Sequence, residues 1–275
     1  MSAEIGLSVE GHVGLTWERW DRILELAERV GFQCVFRSDH LIASDNPDFE
    51  ALELWGSLTY AAVKTKKIEF GPLGSPITFR HPMVALRQAV EVDDLTRGRL
   101  VFGLGAGWQA REHEVYGIPF PDRKARFDWL AETLEITQRL FVDDAPVTYT
   151  GSHISVRDMV VRPIPKRKTP ILIGGNGLLR TLPLVARFAD EWNAIYLDVD
   201  AFIERNRKLD DLLEAEGRDP ASVKRSMMSS FGLESDEIDR YVEAGCQRLM
   251  MKFRDFENLD LLEGWADANL HRWHC

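Results

Sequence analysis

The chain has 275 residues, 45% hydrophobic and 10% aromatic, with 34 basic against 44 acidic side chains and a formal net charge of −10. That content suffices for one large core, and a single domain spanning 1–275 is expected. The basic residues form no stripe, their densest cluster being Pro165–Lys168, which excludes a nucleic-acid surface. No run of about 18 apolar residues would cross a membrane, and the start MSAEIGLSVEGH has neither the basic nor the apolar part of a signal peptide, so a cytoplasmic location is expected.

Short apolar runs alternate with amphipathic stretches from end to end. Ile5–Val9 reads as a strand, and Thr16–Val30 as a helix with Trp17, Trp20, Ile23, Leu24, Ala27 and Val30 on one face, stopped by Gly31. Gln33–Arg37 with Phe49–Lys64, and Ile68–Ile77 with Pro82–Thr96, repeat the pair. Leu100–Gly103 leads to a helix over Arg123–Phe141 whose inner side carries Phe127, Leu130, Leu134, Thr137 and Phe141. Residues 143–168 then break the rhythm: Val147–Val156 places two β-type runs around Gly151 and Ser152, predicting a β-hairpin inserted between the fourth helix and the fifth strand. Such an excursion serves as a lid, an interface element or a plain flap.

Four more pairs follow: Pro170–Ile173 with Leu178–Phe188, Trp192–Leu197 with Ala201–Glu216, Val223–Phe231 with Asp236–Ala244, and Arg248–Phe253 with Leu259–Leu270. Eight βα units imply a parallel sheet with right-handed crossovers, and in about this length a closed α/β (β/α)8 TIM barrel is expected. Cys34 and Cys246 open apolar runs and read as buried, reduced thiols. The tail His271, His274 and Cys275 is the only metal-like grouping, and its terminal position argues against a metal site.

In such a barrel the chemistry sits at the C-terminal ends of the strands. After the second strand, Asp39 stands beside His40, where a carboxylate can orient an imidazole for proton transfer. The alternative is a loop-capping Asp39 and a solvated His40. Gly71–Ile77 packs two glycines and two prolines into one kink, either a barrel corner or a place where backbone approaches a flat ligand, and Ser75–Pro76 is a candidate cis bond. Gly103, Gly105, Ala106, Gly107 and Trp108, followed by Glu112, miss the dinucleotide fingerprint by one residue but still permit close approach by a ring or a phosphate. Trp108 either stacks on that ring or packs on Pro119 or Phe120. Gly174, Gly175, Asn176 and Gly177, with Arg180 close behind, feed a helix N-terminus and form the chain's best anion site. No nucleophile elbow is visible, and Lys252 is the one lysine at an apolar strand end. A chain poor in nucleophiles and rich in cradle elements suits a cofactor enzyme.

These motifs together resemble the luciferase-like monooxygenase superfamily. The similar stretches are Ser38–His40, Phe79–Pro82, Asp94–Leu100, Gly103–Trp108 with Glu112, Tyr116–Phe120, Pro170–Gly175 and Ala186–Asn193. The resemblance implies a barrel that binds the deazaflavin coenzyme F420, or alternatively FMN, with its F420-dependent branch most similar. It places the ring against Gly74, Ser75 and Pro76, where a cis peptide is typical, and the phosphate side on Gly174–Gly177. It makes His40 a proton-transfer residue with Asp39, and puts Trp108 and Glu112 near the substrate. The implied reaction is hydride transfer between deazaflavin C5 and a small organic molecule, by a homodimer that a separate reductase can supply. The rival readings are an FMN-dependent monooxygenase using oxygen and a degenerate, non-catalytic barrel.

Overall fold

A computed structural model describes residues 3–44, 48–142, 145–163 and 166–273. The expected tail grouping at His274 and Cys275 lies outside them, as do the first residues of the insertion. In chain order the elements are β1 (Glu4–Val9), α1 (Trp17–Val30), β2 (Cys34–Arg37), α2 (Leu54–Lys64), β3 (Glu69–Pro72), β4 (Ser75–Pro76), α3 (Pro82–Thr96), β5 (Phe102–Gly105), α4 (Ala110–Tyr116) and α5 (Arg123–Val142). They continue with β6 (Val147–Thr150), β7 (Ser155–Met159), β8 (Ile171–Gly174), α6 (Thr181–Phe188), β9 (Glu191–Ile195), α7 (Val199–Ala215), β10 (Lys224–Ser230), α8 (Ser235–Glu243), β11 (Arg248–Phe253) and α9 (Leu259–Asn269).

Nine strands form one parallel sheet in the order β3-β2-β1-β11-β10-β9-β8-β5-β4. Its two ends, β3 and β4, belong to one pass of the chain, and Phe70 pairs with Leu100 across the remaining gap. The barrel therefore has the expected eight passes, the third split in two. The expected continuous run Ile68–Ile77 breaks at Leu73–Gly74, which carries a cis peptide; the candidate Ser75–Pro76 bond does not. The fourth barrel strand begins two residues later than expected because Leu100 is spent on the bridge to Phe70. The expected helix from Phe49 starts only at Leu54, where the Glu53 side chain accepts the Gly56 N–H as N-cap. The hairpin β6–β7 is present as a separate antiparallel pair.

Helix α1 shows why these elements form. The Thr16 hydroxyl accepts the Arg19 N–H at its start, and Gly31 closes it at φ 97°, a left-handed cap that suits glycine. Trp20, Ile23, Leu24 and Ala27 are buried against the sheet, whereas Trp17, expected on that face, is exposed and meets Tyr60 edge to face. Inside the barrel, Cys34, Phe36, Val101, Leu172 and Met250 form a small separate core. Burial pushes both thiols up, that of Cys246 to about 12.

The barrel floor is ionic. Arg248, fully buried, donates to Glu4 Oε2 at 2.5 Å and to Glu191 Oε2 at 2.8 Å, and it also pairs with Glu69. These four residues stand at or near the N-terminal ends of β11, β1, β9 and β3, so one guanidinium ties four strands together. Burial opposes the charge on Arg248, but the surrounding carboxylates hold its pKa well above the ordinary arginine value. Among the described residues no helix is long and apolar enough to cross a membrane, and no group of three or more potential ligands could hold a metal ion.

Candidate active site

At the opposite end, the C-terminal ends of the strands surround a cleft of about 480 Å³. Asp39, His40, Gly74, Pro76, Gly105, Ala106, Gly107, Trp108 and the turn Gly174–Gly177 all line it. The sequence candidates from four separate strand ends are thus brought together. Three candidates stand behind the lining rather than in it: Ser75, Glu112 and Arg180.

His40 is the chemical centre of the cleft. Its Nδ1 lies 3.0 Å and 3.3 Å from the two oxygens of Glu112, which is 1% exposed and also accepts the Leu41 N–H at 3.0 Å. A carboxylate only accepts, so Nδ1 donates, and in the neutral ring the lone pair is on Nε2. Trp108 meets the ring edge to face at 5.3 Å and is itself 70% exposed; Phe120 packs on His113.

The expected Asp39–His40 partnership is corrected. Asp39 accepts from the Ser75 hydroxyl at 2.7 Å and from Arg80 at 2.5 Å and 3.3 Å, and Arg80 reaches on to Glu53. Burial opposes the charge of Arg80, yet the bonds to Asp39 raise its pKa. Asp39 therefore fixes the β4 segment, and the carboxylate that orients His40 is Glu112. Glu112 correspondingly acts from behind the imidazole.

The other half of the cleft is an anion cradle. Asn176 spans the backbone of β9 with both side-chain atoms on Ile195, at 2.7 Å and 2.9 Å, and the Trp192 indole donates to the Gly175 carbonyl. Gly175 adopts φ 123°, which a side chain would strain. This turn leads into the start of α6, where the N-cap residue Arg180 makes no side-chain cap and the Gly177 carbonyl accepts the Leu182 N–H at 3.0 Å.

Arg123, Arg126 and Phe127 of α5 line the same cleft, a contribution the sequence reading missed because arginines in a first helical turn look like an ordinary solvated face. Arg123 and Arg180 lie over the Phe127 ring at 5.9 Å and 5.8 Å, and Arg126 over Phe120 at 3.8 Å. These guanidiniums rest on aromatic rings; Arg126 also donates to the Pro121 carbonyl, and its buried Nε has no hydrogen-bond partner. Thr181, Asn193, Ile195 and Met228 complete the lining. His12, also missed, packs against His40 with ring centroids 4.6 Å apart. Lys252 is no Schiff-base candidate in a dry pocket: its ammonium lies over the half-exposed Tyr196 ring.

The luciferase-like monooxygenase family model matches residues 2–274. The chain belongs to that family. Among curated relatives it is 30% identical over 227 residues to an F420-dependent glucose-6-phosphate dehydrogenase of Intrasporangium calvum, covering 79% of this chain and 61% of the relative. It is 32% identical over 166 residues to the same-named protein of Microbacterium testaceum, covering 60% of this chain and 48% of the relative. The chain thus spans about half to three fifths of the length of these relatives. Among solved structures, an F420-dependent secondary alcohol dehydrogenase complexed with an F420–acetone adduct superposes with a TM-score of 0.84 at 17% identity, covering 97% of this chain and 98% of that one. A type II Baeyer–Villiger monooxygenase of Pseudomonas putida complexed with FMN gives 0.78 at 14%, covering 97% and 96%. At these identities the two structures establish the fold, a luciferase-like barrel.

Proposed function

We propose that this chain is an F420-dependent oxidoreductase, a single domain over 1–275 acting on a small organic molecule in the cytosol. One observation carries the reading: a single cleft joins the His40–Glu112 pair to an arginine-and-glycine anion cradle. The names of the curated relatives support the same cofactor.

The residues present fit such a group. A Cβ added at Gly105 would meet nothing within 4 Å, so the cleft wall there is bare backbone. Arg123 and Arg126, which rest on aromatic rings, and the start of α6, which carries no side-chain cap, suit the cofactor's phosphate, with Gly174–Gly177 around them. Gly74, Pro76 and Gly105–Gly107 would hold the ring. When bound, F420 exchanges a hydride at its C5 carbon. The chain's own work is orientation and proton handling. Glu112 holds His40 Nδ1–H, which leaves Nε2 to accept a proton from, or return one to, a substrate hydroxyl or carbonyl oxygen. Leu73, Ile195 and Met228 exclude water around it.

Exposed Val63, Val84 and Leu95 on α2 and α3 support a homodimer, and a separate reductase is proposed as the source of reduced cofactor. The test is titration of the purified protein with F420 and with FMN, followed by fluorescence. Binding of F420 in preference to FMN is expected. Preference for FMN would replace the proposal with oxygen-dependent chemistry, and binding of neither would leave a non-catalytic barrel.

A further inference from the structure

The loop after β1 places His12 against His40, ring centroids 4.6 Å apart at an interplanar angle of 65°. Its contacts favour one tautomer. His12 Nε2 lies 3.5 Å from the Glu10 carboxylate, an acceptor only, which places the ring proton on Nε2. The Ser38 hydroxyl, which accepts the Gly11 N–H at 3.2 Å, then donates to Nδ1 at 3.3 Å. Burial, with the nearby charges of His40, Arg254, Lys252 and Arg37, pushes the His12 pKa down to about 3. Two imidazolium rings at this separation would repel strongly. His40 is the ring of the pair that faces a buried carboxylate, Glu112, across 3.0 Å.

We propose that His12 is a positioning residue: a permanently neutral imidazole that forms the fixed wall against which His40 is held, with Nδ1 on Glu112 and Nε2 available to the cleft. The inference rests on the reading of His40 as the proton-exchanging group, and it adds what keeps that group in one orientation. His40 is bounded on three sides, by Glu112 from α4, by Trp108 before that helix, and by His12 from the β1 loop. Of the charged groups around the pair, Glu10 is taken by His12, Asp39 by Arg80, and Arg37 by Ser57 and the Leu52 carbonyl. Lys252 lies over the Tyr196 ring. The neutral ring packs on His40 and adds no competing charge.

The test has two arms. In cofactor-free protein labelled with ¹⁵N-histidine, the His12 signals should report the neutral Nε2–H tautomer without change from about pH 5 to about pH 8. Titration of His12 within that range, or a proton on its Nδ1, would overturn the proposal. In F420-dependent turnover, His12→Ala should lower kcat/KM about tenfold at neutral pH and displace the acid limb of its pH profile. His12→Phe, which restores a ring, should recover the profile, with F420 affinity unchanged in both variants. Equal losses in both variants, or none in either, would refute the positioning role. Should His12→Ala fail to fold, the labelled wild-type protein and His12→Phe still decide. Full turnover by His40→Ala would instead bring down the functional reading, while the labelling arm would continue to test the neutral ring.

Discussion

Two glycines of one strand separate the fold from the cleft, and substituting each gives opposite outcomes. A Cβ on Gly103 would sit 1.9 Å from the Pro72 carbonyl oxygen, in backbone that cannot yield without parting β5 from β3, whereas a Cβ on Gly105 meets nothing within 4 Å. Gly103→Ala should therefore cost about 3 kcal/mol or more, at the upper end of overpacking effects. In a chain of this size that lowers Tm by roughly 6 °C or more. Gly105→Val should leave stability within about 1 kcal/mol, since the position needs no unusual φ. Its side chain enters the cleft, so F420 affinity should fall at least ~100-fold, about 2.7 kcal/mol. Thermal unfolding and F420 fluorescence titration measure both quantities on the same samples. Wild-type F420 affinity in Gly105→Val would refute the placement of the cofactor, and a Tm loss matching that of Gly103→Ala would refute the assignment of Gly105 to the cleft wall.

Glu112→Gln keeps the shape behind His40 but removes the charge, so kcat/KM should drop about 100-fold while F420 affinity holds; a loss below about threefold would show that His40 needs no carboxylate. Arg126→Gln should weaken F420 binding about tenfold and flatten its salt dependence, and equal affinities at low and high salt in both proteins would argue against a charge-based cradle. Arg248→Met strands Glu69 and Glu191 on the barrel floor, Glu4 keeping Lys224, and should destabilise the chain by about 3–5 kcal/mol in urea unfolding; a loss under about 1 kcal/mol would mean the floor is wet. His12 gives the protein a pH signature. Its folded pKa of about 3 lies below the unfolded value of 6.5, so between them the unfolded chain binds one more proton and stability falls as pH drops, by about 1.4 kcal/mol per unit. From pH 7.5 to pH 5 the wild type should lose about 1–2 kcal/mol more than His12→Phe, and parallel curves would show His12 to be solvated.

The eight-unit rhythm was legible because each strand is a short apolar run and most helices show a buried stripe, as Trp20, Ile23, Leu24 and Ala27 do in α1. The turn Gly174–Gly177 was legible because four residues at one strand end carry the signal. Pairings across the barrel were not. Asp39 neighbours His40 in sequence, but in the fold it bonds Ser75 and Arg80, partners that lie 36 and 41 residues away. The true partner, Glu112, lies 72 residues on. It sits in α4, whose seven residues are too few to show a period. His12 leaves no trace in a loop reading Glu-Gly-His. The split of the third pass at Leu73–Gly74 was visible as a kink of glycines and prolines, but not as two strands pairing with opposite neighbours.

The acidic balance of the chain opposes a phosphate-bearing ligand at long range, yet the arginines show how a local site escapes that field. Arg248 is saturated by three glutamates and Arg80 by Asp39 and Glu53, so neither has charge to offer an incoming anion. Arg123, Arg126 and Arg180 are held in place by Phe127 and Phe120. An aromatic face orients a guanidinium without neutralising it, whereas a carboxylate does both. The positive potential at the start of α6 therefore survives inside a chain of net charge −10. Moving a carboxylate beside Arg126, for instance, would hardly alter the net charge but would fill the cradle from within. The pairing state of each arginine, more than the sum of charges, decides where an anion can settle.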